Sequence, residues 1–225
     1  MLFLCVRRVA PGICGVALID CDESPGRAGQ SVRLARRHKG LALAVALALG
    51  GCGGGAAPES FDLSASAAAG VARAARGQLV IVEPVATAPT DSDRIIVRPT
   101  PDTVATLKGA QWVERLPRLL QTRLVQSFEN ARMLRSVGRA DAKIQADYSL
   151  ASEIRRFEID VASAEAVVEI SAKLVVERSG RIAAARIFTA RAPGSAGNGA
   201  AAAAALDQAL GQALREIVAW AAASL

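Results

Sequence analysis

The stretch Val168-Glu169-Ile170-Ser171-Ala172-Lys173-Leu174-Val175-Val176-Glu177-Arg178-Ser179-Gly180 decides the fold. Val168, Ile170, Ala172, Leu174 and Val176 alternate with Glu169, Ser171, Lys173 and Glu177, the period of two that puts one side of a β-strand against a core and the other in water. Ser179-Gly180 then supplies a tight turn into a second strand, Ile182 to Ala190. Upstream, Ile144, Ala146, Tyr148, Leu150 and Ile154 lie on one alternating face, and Phe157, Ile159 and Val161 resume out of phase, which predicts a bulge near Arg155-Arg156. Leu79-Val80-Ile81-Val82, ended by Pro84, and Asp93-Arg94-Ile95-Ile96-Val97 read as two further strands. Two helical patterns supply the cover. Residues 111–131 place Trp112, Leu116, Leu119, Leu120, Leu124 and Phe128 at spacings of three and four, with Pro117 marking a start or a bend. Met133, Leu134 and Val137 lead on to a short buried strand or turn. From about Gly199 to Ala223, Leu206, Leu210, Ala213, Leu214, Ile217 and Trp220 form one apolar stripe. The expected fold is α/β, a two-layer sandwich with a mostly antiparallel sheet covered by two amphipathic helices.

Ahead of this domain the composition changes character. From Gly53 to about Gly77 the chain is Gly, Ala and Ser with few large apolar residues, too little apolar surface to order itself, so residues 52–77 read as a tether and 78–225 as the domain. Phe61-Asp62-Leu63 stands out within the tether, either as a segment that docks on the domain or as a chance apolar pair. Residues 1–51 read as a leader. Arg33, Arg36, Arg37 and Lys39 precede an uncharged run over 41–49, then Leu49-Gly50-Gly51-Cys52, the order of a secretory signal. The apolar run is far short of the roughly 20 residues that a spanning helix needs. Small residues ending on a Cys form a lipobox-like motif, so cleavage before Cys52 and acylation of Cys52 are expected. Two or three acyl chains make a stable anchor where one is marginal. Residues 1–31 carry Asp20, Asp22 and Glu23 and do not suit an export signal; a start at Val32 would give a signal of ordinary length.

Removing residues 1–51 changes what the composition allows. The full chain has a net charge of +6, but the leader holds seven of 27 basic and three of 21 acidic residues, leaving 20 against 18. The remaining Arg residues are spread singly, so nucleic-acid binding has little support. Cys5, Cys14, Cys21 and the single histidine, His38, all fall in the leader, and Cys52 is the one Cys left. A disulfide framework, a Cys/His metal site and a Ser-His or Cys-His nucleophile are thereby excluded from the mature chain. Asp62, Asp93, Asp141, Asp147 and Asp160 are scattered, with no spacing that pairs two for acid/base work. Trp112 and Trp220 sit in helical stripes and are expected in the core. Gly194 to Ala205 lacks the glycine and Lys pattern of a phosphate cradle and reads as a low-complexity insertion. Arg94, Arg155 and Arg156, at a strand start and beside the expected bulge, are candidate contacts for a partner protein or lipid headgroups.

An ordered series of weak signals now adds up. Cys52, the aromatic-Asp-Leu of Phe61 to Leu63, the strand from Leu79 to Pro84, Asp93-Arg94-Ile95, Trp112 opening a helix whose Leu-Leu is Leu119-Leu120, a strand ending in Arg156-Phe157, the long hairpin and an Ala-rich helix closing on Trp220 together resemble the ABC-type transport auxiliary lipoproteins, the family of the Pqi-system lipoprotein. Phe61 stands where Tyr is commoner, and Val97 where an aromatic often follows. The resemblance implies a non-enzymatic periplasmic subunit working with an ABC permease, its ATPase and an MCE-type substrate-binding protein, in a system that moves lipids or hydrophobic solutes between membranes. It implies no cofactor beyond the diacylglycerol and N-acyl chains on Cys52. Gly53 follows the Cys where Asp commonly marks inner-membrane retention, which favours the outer membrane. An envelope assembly or structural lipoprotein, partner of a lipopolysaccharide or secretin complex, would share the anchor and a similar sandwich, and self-association stays open.

Overall fold

The computed structural model describes residues 57–66, 77–140 and 145–225, within a compact unit spanning Gly55–Leu225. The leader, its motif Leu49-Gly50-Gly51-Cys52 and residues 141–144 lie outside the described residues. In chain order the elements are β1 (Glu59–Phe61), β2 (Gln78–Ile81), β3 (Val85–Ala86), β4 (Arg94–Thr100), β5 (Thr103–Trp112), α1 (Leu116–Ala131), β6 (Ser136–Arg139), β7 (Tyr148–Asp160), β8 (Glu165–Val176), β9 (Arg181–Pro193) and α2 (Gly199–Ser224).

The sheet is mixed and organised around β7. Along one edge β7 pairs antiparallel with β8, which pairs antiparallel with β9. Along its other edge three segments lie parallel to it in succession: β2 beside Tyr148–Leu150, β3 beside Glu153–Ile154 and β4 beside Glu158–Asp160. Antiparallel pairing therefore dominates the long meander expected from the alternation, while the opposite half is mainly parallel. The register of β7 and β8 shifts between Ile154 and Arg156, so the extra residue falls at the expected bulge. That shift lets Leu150 and Ile154 before it, and Phe157 and Ile159 after it, all point into one core. Gly180, with φ of +66°, takes the left-handed conformation the β8–β9 turn needs. Before the β7–β8 turn, the Asp160 carboxylate accepts from the backbone N–H of Ala162 and of Ser163.

Both helices pack on the same face of the sheet. Helix α1 begins at Leu116 with Pro117 in its first turn, where the missing N–H costs nothing, and ends on Arg132 in the left-handed conformation. Trp112 does not open this helix. It closes β5, 1% exposed, its ring edge-on to Phe157 at 5.8 Å between centroids, in the core but on a strand. Strand β5 was not expected from the sequence, because most of its residues are exposed and show no alternation of apolar and polar residues.

Residues 194–205 are not a low-complexity insertion. Asn198 caps α2 by accepting from the N–H of Ala201 at 2.7 Å, and Ala202, Ala203 and Ala205 are buried in its first turns. A Cβ at Gly199 would stand 2.7 Å from the Cβ of Ala110 and 3.0 Å from the Phe61 ring, so the small residues let the helix start press on β1 and β5. Farther along, Leu206, Leu210, Leu214 and Ile217 are fully buried, and Trp220 packs edge-on against Phe188 with part of its surface exposed.

Residues 59–66, which composition assigns to the tether, are instead a strap built onto the domain. Strand β1 adds to β5 in parallel, Glu59 opposite Ala110 and Phe61 opposite Trp112. Leu63 is buried in the main core. The rest of the strap is tied to the helices: Arg123 donates to Asp62, Ser64 N–H donates to Asp207, Ser66 N–H donates to Ser127 Oγ, and Asn130 Nδ2 donates to the Ser66 carbonyl. Of the two readings left open for Phe61 to Leu63, docking is the one found.

Candidate partner-binding face

The face of the sheet without helices carries the charged residues singled out from sequence. On β7, Glu158 alternates with the core residues Phe157 and Ile159 and therefore points away from the helices. It is nevertheless only 3% exposed. Two features seal it. Across the strands it lies between Ile96 of β4 and Val167 of β8, both buried. Above it two guanidiniums close in. Arg98 donates to both carboxylate oxygens, Nε at 2.8 Å and Nη2 at 2.9 Å, and Arg156 Nε donates at 2.7 Å. Arg156 Nη2 also reaches Asp160 Oδ2 at 3.3 Å.

Burial pushes the Glu158 carboxyl up, but hydrogen bonds from Arg98 and then Arg156, with the charges of both, outweigh it and hold the group below its ordinary value. Asp160 is likewise held below its ordinary range, chiefly by the Ser163 N–H, against some burial and with help from Arg156 and Ala162. Arg98 is pushed above its ordinary value, first by the hydrogen bond to Glu158. The four groups form a charge-balanced network at neutral pH. A shallow groove of about 380 Å³ opens beside it, lined by Arg98, Pro101, Arg156, Asp160 and Ala162.

The predicted contact residues separate in this setting. Arg156 is committed to the network. Arg155, at the bulge, pairs with Glu169 at 3.1 Å and stays 43% exposed. Arg94 opens β4, 3.6 Å from Asp93 and 56% exposed, outside the network. Sequence reasoning missed Arg98 and Glu158. In the structure Ile95 and Val97 face the core, which puts Ile96 and Arg98 on the outer face, but the run Ile95-Ile96-Val97 has no polar alternation to show this, and nothing in one sequence pairs Arg98 with a Glu sixty residues on.

The remaining carboxylates are occupied structurally. Asp62 holds Arg123, Asp93 lies beside Arg94, and Asp147 accepts from the Gln78 N–H at 2.9 Å. Asp141 is outside the described residues. Among the described residues no group of three His, Cys, Asp or Glu could hold a metal ion, and no helix is long and apolar enough to cross a membrane.

The structure is an α/β sandwich whose outer face carries the Arg98–Glu158–Arg156–Asp160 network. The chain belongs to the ABC-type transport auxiliary lipoprotein component family, whose model matches residues 61–218. It is 32% identical over 172 residues to an uncharacterized protein of Bradyrhizobium diazoefficiens, covering 75% of this chain and 46% of that one. The chain thus spans about half the length of that curated relative. Among solved structures it is similar to protein XCC0632 from Xanthomonas campestris, with 34% identity, a TM-score of 0.68, and coverage of 74% of this chain and 96% of that one. A second structure, of an uncharacterized protein, shares the fold at 12% identity and a TM-score of 0.58, covering 72% and 97%. The description of that family is an auxiliary lipoprotein component of ABC-type transport.

Proposed function

We propose that the protein is a non-catalytic auxiliary subunit of an ABC/MCE-type system moving lipids or hydrophobic solutes across the envelope, anchored by acyl chains on Cys52 to the periplasmic face of the outer membrane. The observation that carries this reading is a coincidence of position: the match to a lipoprotein family begins at Phe61, nine residues after a Cys that ends Leu49-Gly50-Gly51-Cys52. The work left to the folded part is binding. Its paired carboxylates are locked by Arg98 and Arg156 rather than free to move protons. Exposed Arg94 and Arg155 are the charges available to an MCE-type partner, while Arg156 supports the face from within.

Two measurements test the reading. Cys52→Ser abolishes incorporation of a fatty-acid analogue; equal label in wild type and variant refutes the anchor. Cross-linking in intact cells recovers a permease, ATPase or MCE-type component. Capture of outer-membrane assembly factors alone transfers the protein to the assembly class.

A further inference from the structure

We infer that the open edge of β9, from Arg181 to Ile187, accepts an added strand from a partner protein, and that the strand it fits alternates acidic with apolar residues. The inference goes beyond the auxiliary-subunit reading and does not depend on acylation of Cys52.

Strand β9 is the long edge of the sheet. It pairs with β8 from Arg181 to Pro193, and among the described residues nothing pairs on its other side. The strands that end the sheet elsewhere, β1 and β6, have three and four residues, whereas β9 has 13. An edge strand presents a row of N–H and C=O groups without partners, a template for another chain. The first half of β9 is the accessible one. From Phe188 on, the inward residues Phe188, Ala190 and Ala192 are buried, and Trp220 near the end of α2 packs on Phe188 at 5.4 Å between ring centroids. Between Arg181 and Ile187 no residue is buried, so an incoming strand meets side chains on both faces.

The register sorts those side chains into two sets. Ala172 and Leu174 are core residues, so their partners Arg186 and Ala184 face the helix side, and Val176 continues that alternation opposite Arg181. Ser171, Lys173 and Val175 lie on the other side, and with them their partners Ile187, Ala185 and Ile182. The register shift between Leu174 and Val175 leaves Ala183 as the extra residue, which lets Ile182 and Ile187 share the outer face. They are 52% and 51% exposed. By the same shift Arg181 and Arg186 share the helix side. Neither guanidinium has an ion pair among the described residues; Arg186 lies over the Phe188 ring at 5.0 Å. Arg191, by contrast, is taken up by Glu165 at 2.7 Å.

Charge decides between occupants. Strand β9 carries three arginines and no carboxylate. A second copy added antiparallel about a two-fold axis keeps each face on its own side, which crowds Arg181 and Arg186 of both copies along one side of the seam. Carboxylates at those positions complement the guanidiniums, and apolar side chains at the alternate positions cover Ile182 and Ile187. Backbone bonds then supply affinity and the alternating side chains supply specificity.

The test titrates the full chain with fluorescein-labelled peptides of about eight residues, the length of an ordinary strand. One alternates valine with glutamate, one alternates valine with lysine, and the third is the glutamate peptide N-methylated on every residue, which cannot donate strand hydrogen bonds but keeps its carboxylates. The glutamate peptide binds about tenfold more tightly than either of the others, and it protects the amides of Ile182 to Ile187 from hydrogen exchange. In the double variant Arg181→Glu, Arg186→Glu the glutamate and lysine peptides exchange order; if that variant does not fold, the comparison on the wild-type chain decides alone. Equal binding of the N-methylated peptide reveals a site for anions and overturns strand addition. Equal binding of the lysine peptide overturns the charge selection, and binding of no peptide, or protection elsewhere on the chain, overturns the site. Dimerisation of the peptide-free chain that protects the same amides assigns the edge to a second copy and overturns the partner.

Discussion

Glu158→Gln is the most informative perturbation of the outer face. The substitution keeps the shape of the side chain but replaces one carboxylate oxygen by an NH2 that cannot accept from the guanidiniums. Glu158 receives three charge-assisted hydrogen bonds of 2.7 to 2.9 Å at a position 3% exposed. Removing one partner of a buried pair costs about 3 to 5 kcal/mol. Arg98 and Arg156 are 25% and 29% exposed, so they recover part of their hydration and the loss lies near the lower end, about 3 kcal/mol. For a domain of this size that is a fall in Tm of about 6 to 12 °C. The difference depends on pH with a definite sign. The folded carboxyl titrates below its ordinary 4.5, so its contribution is present above that value and is lost as pH falls through the lower folded-state value. Denaturant unfolding of both proteins at pH 7 and near pH 3 reads this out. The gap is wide at pH 7 and smaller near pH 3. A gap under about 1 kcal/mol at neutral pH, or one that does not change with pH, refutes the account of the network.

Three further outcomes follow from packing. Gly199→Ala lowers the Tm although Ala is the better helix former by about 1 kcal/mol, because the added Cβ meets Ala110 at 2.7 Å; overpacking of this kind costs about 1 to 3 kcal/mol. A stabilised variant in thermal unfolding contradicts the close approach. A chain beginning at Gly77 folds cooperatively but unfolds at lower denaturant than one beginning at Ala57, since it lacks β1 and buried Leu63; equal midpoints mean the strap contributes nothing. Asp62→Asn weakens the strap's tie to Arg123, and the difference from wild type closes at acid pH, because the Asp62 carboxyl is held below its ordinary value despite burial, through Arg123 and the Leu63 N–H. Amide hydrogen exchange at Phe61 and Leu63 at neutral and acid pH measures it.

The long meander was legible because apolar and polar residues alternate along most of β7 and β8, a local signal, and Ser179-Gly180 marks the turn into β9, whose first half is exposed on both sides. The bulge at Arg155-Arg156 was legible for the same reason, as a break in phase. Strand β5 and the placement of Trp112 were not. A strand exposed for most of its length has no alternation to read, and Trp112 happens to fall at helical spacing from Leu116 and Leu119. The strap was half legible. Its composition is that of a linker, yet Phe61 and Leu63 are the two apolar anchors that dock it, and the docking depends on surfaces of β5 and α1 that no local window contains. The network around Glu158 was hidden for a related reason: Arg98 and Glu158 are brought together by a parallel pairing between distant strands.

That parallel pairing has a consequence for the order in which the molecule can assemble. Ile81 meets Leu150 and Val97 meets Ile159, contacts that close loops of more than sixty residues, whereas β7, β8 and β9 are joined by short turns. A ribosome makes β2, β3 and β4 well before the strand that receives them. Beyond β1 on β5, the β4–β5 hairpin and helix α1, β2 gains no strand partner until β6 at Ser136–Arg139, and β3 and β4 gain β7 only as residues 153–160 emerge, and loop closure over such spans is slow. The nascent chain is therefore a slow folder from its leading end, a property that would suit export in an unfolded state, which the proposed anchoring at Cys52 requires.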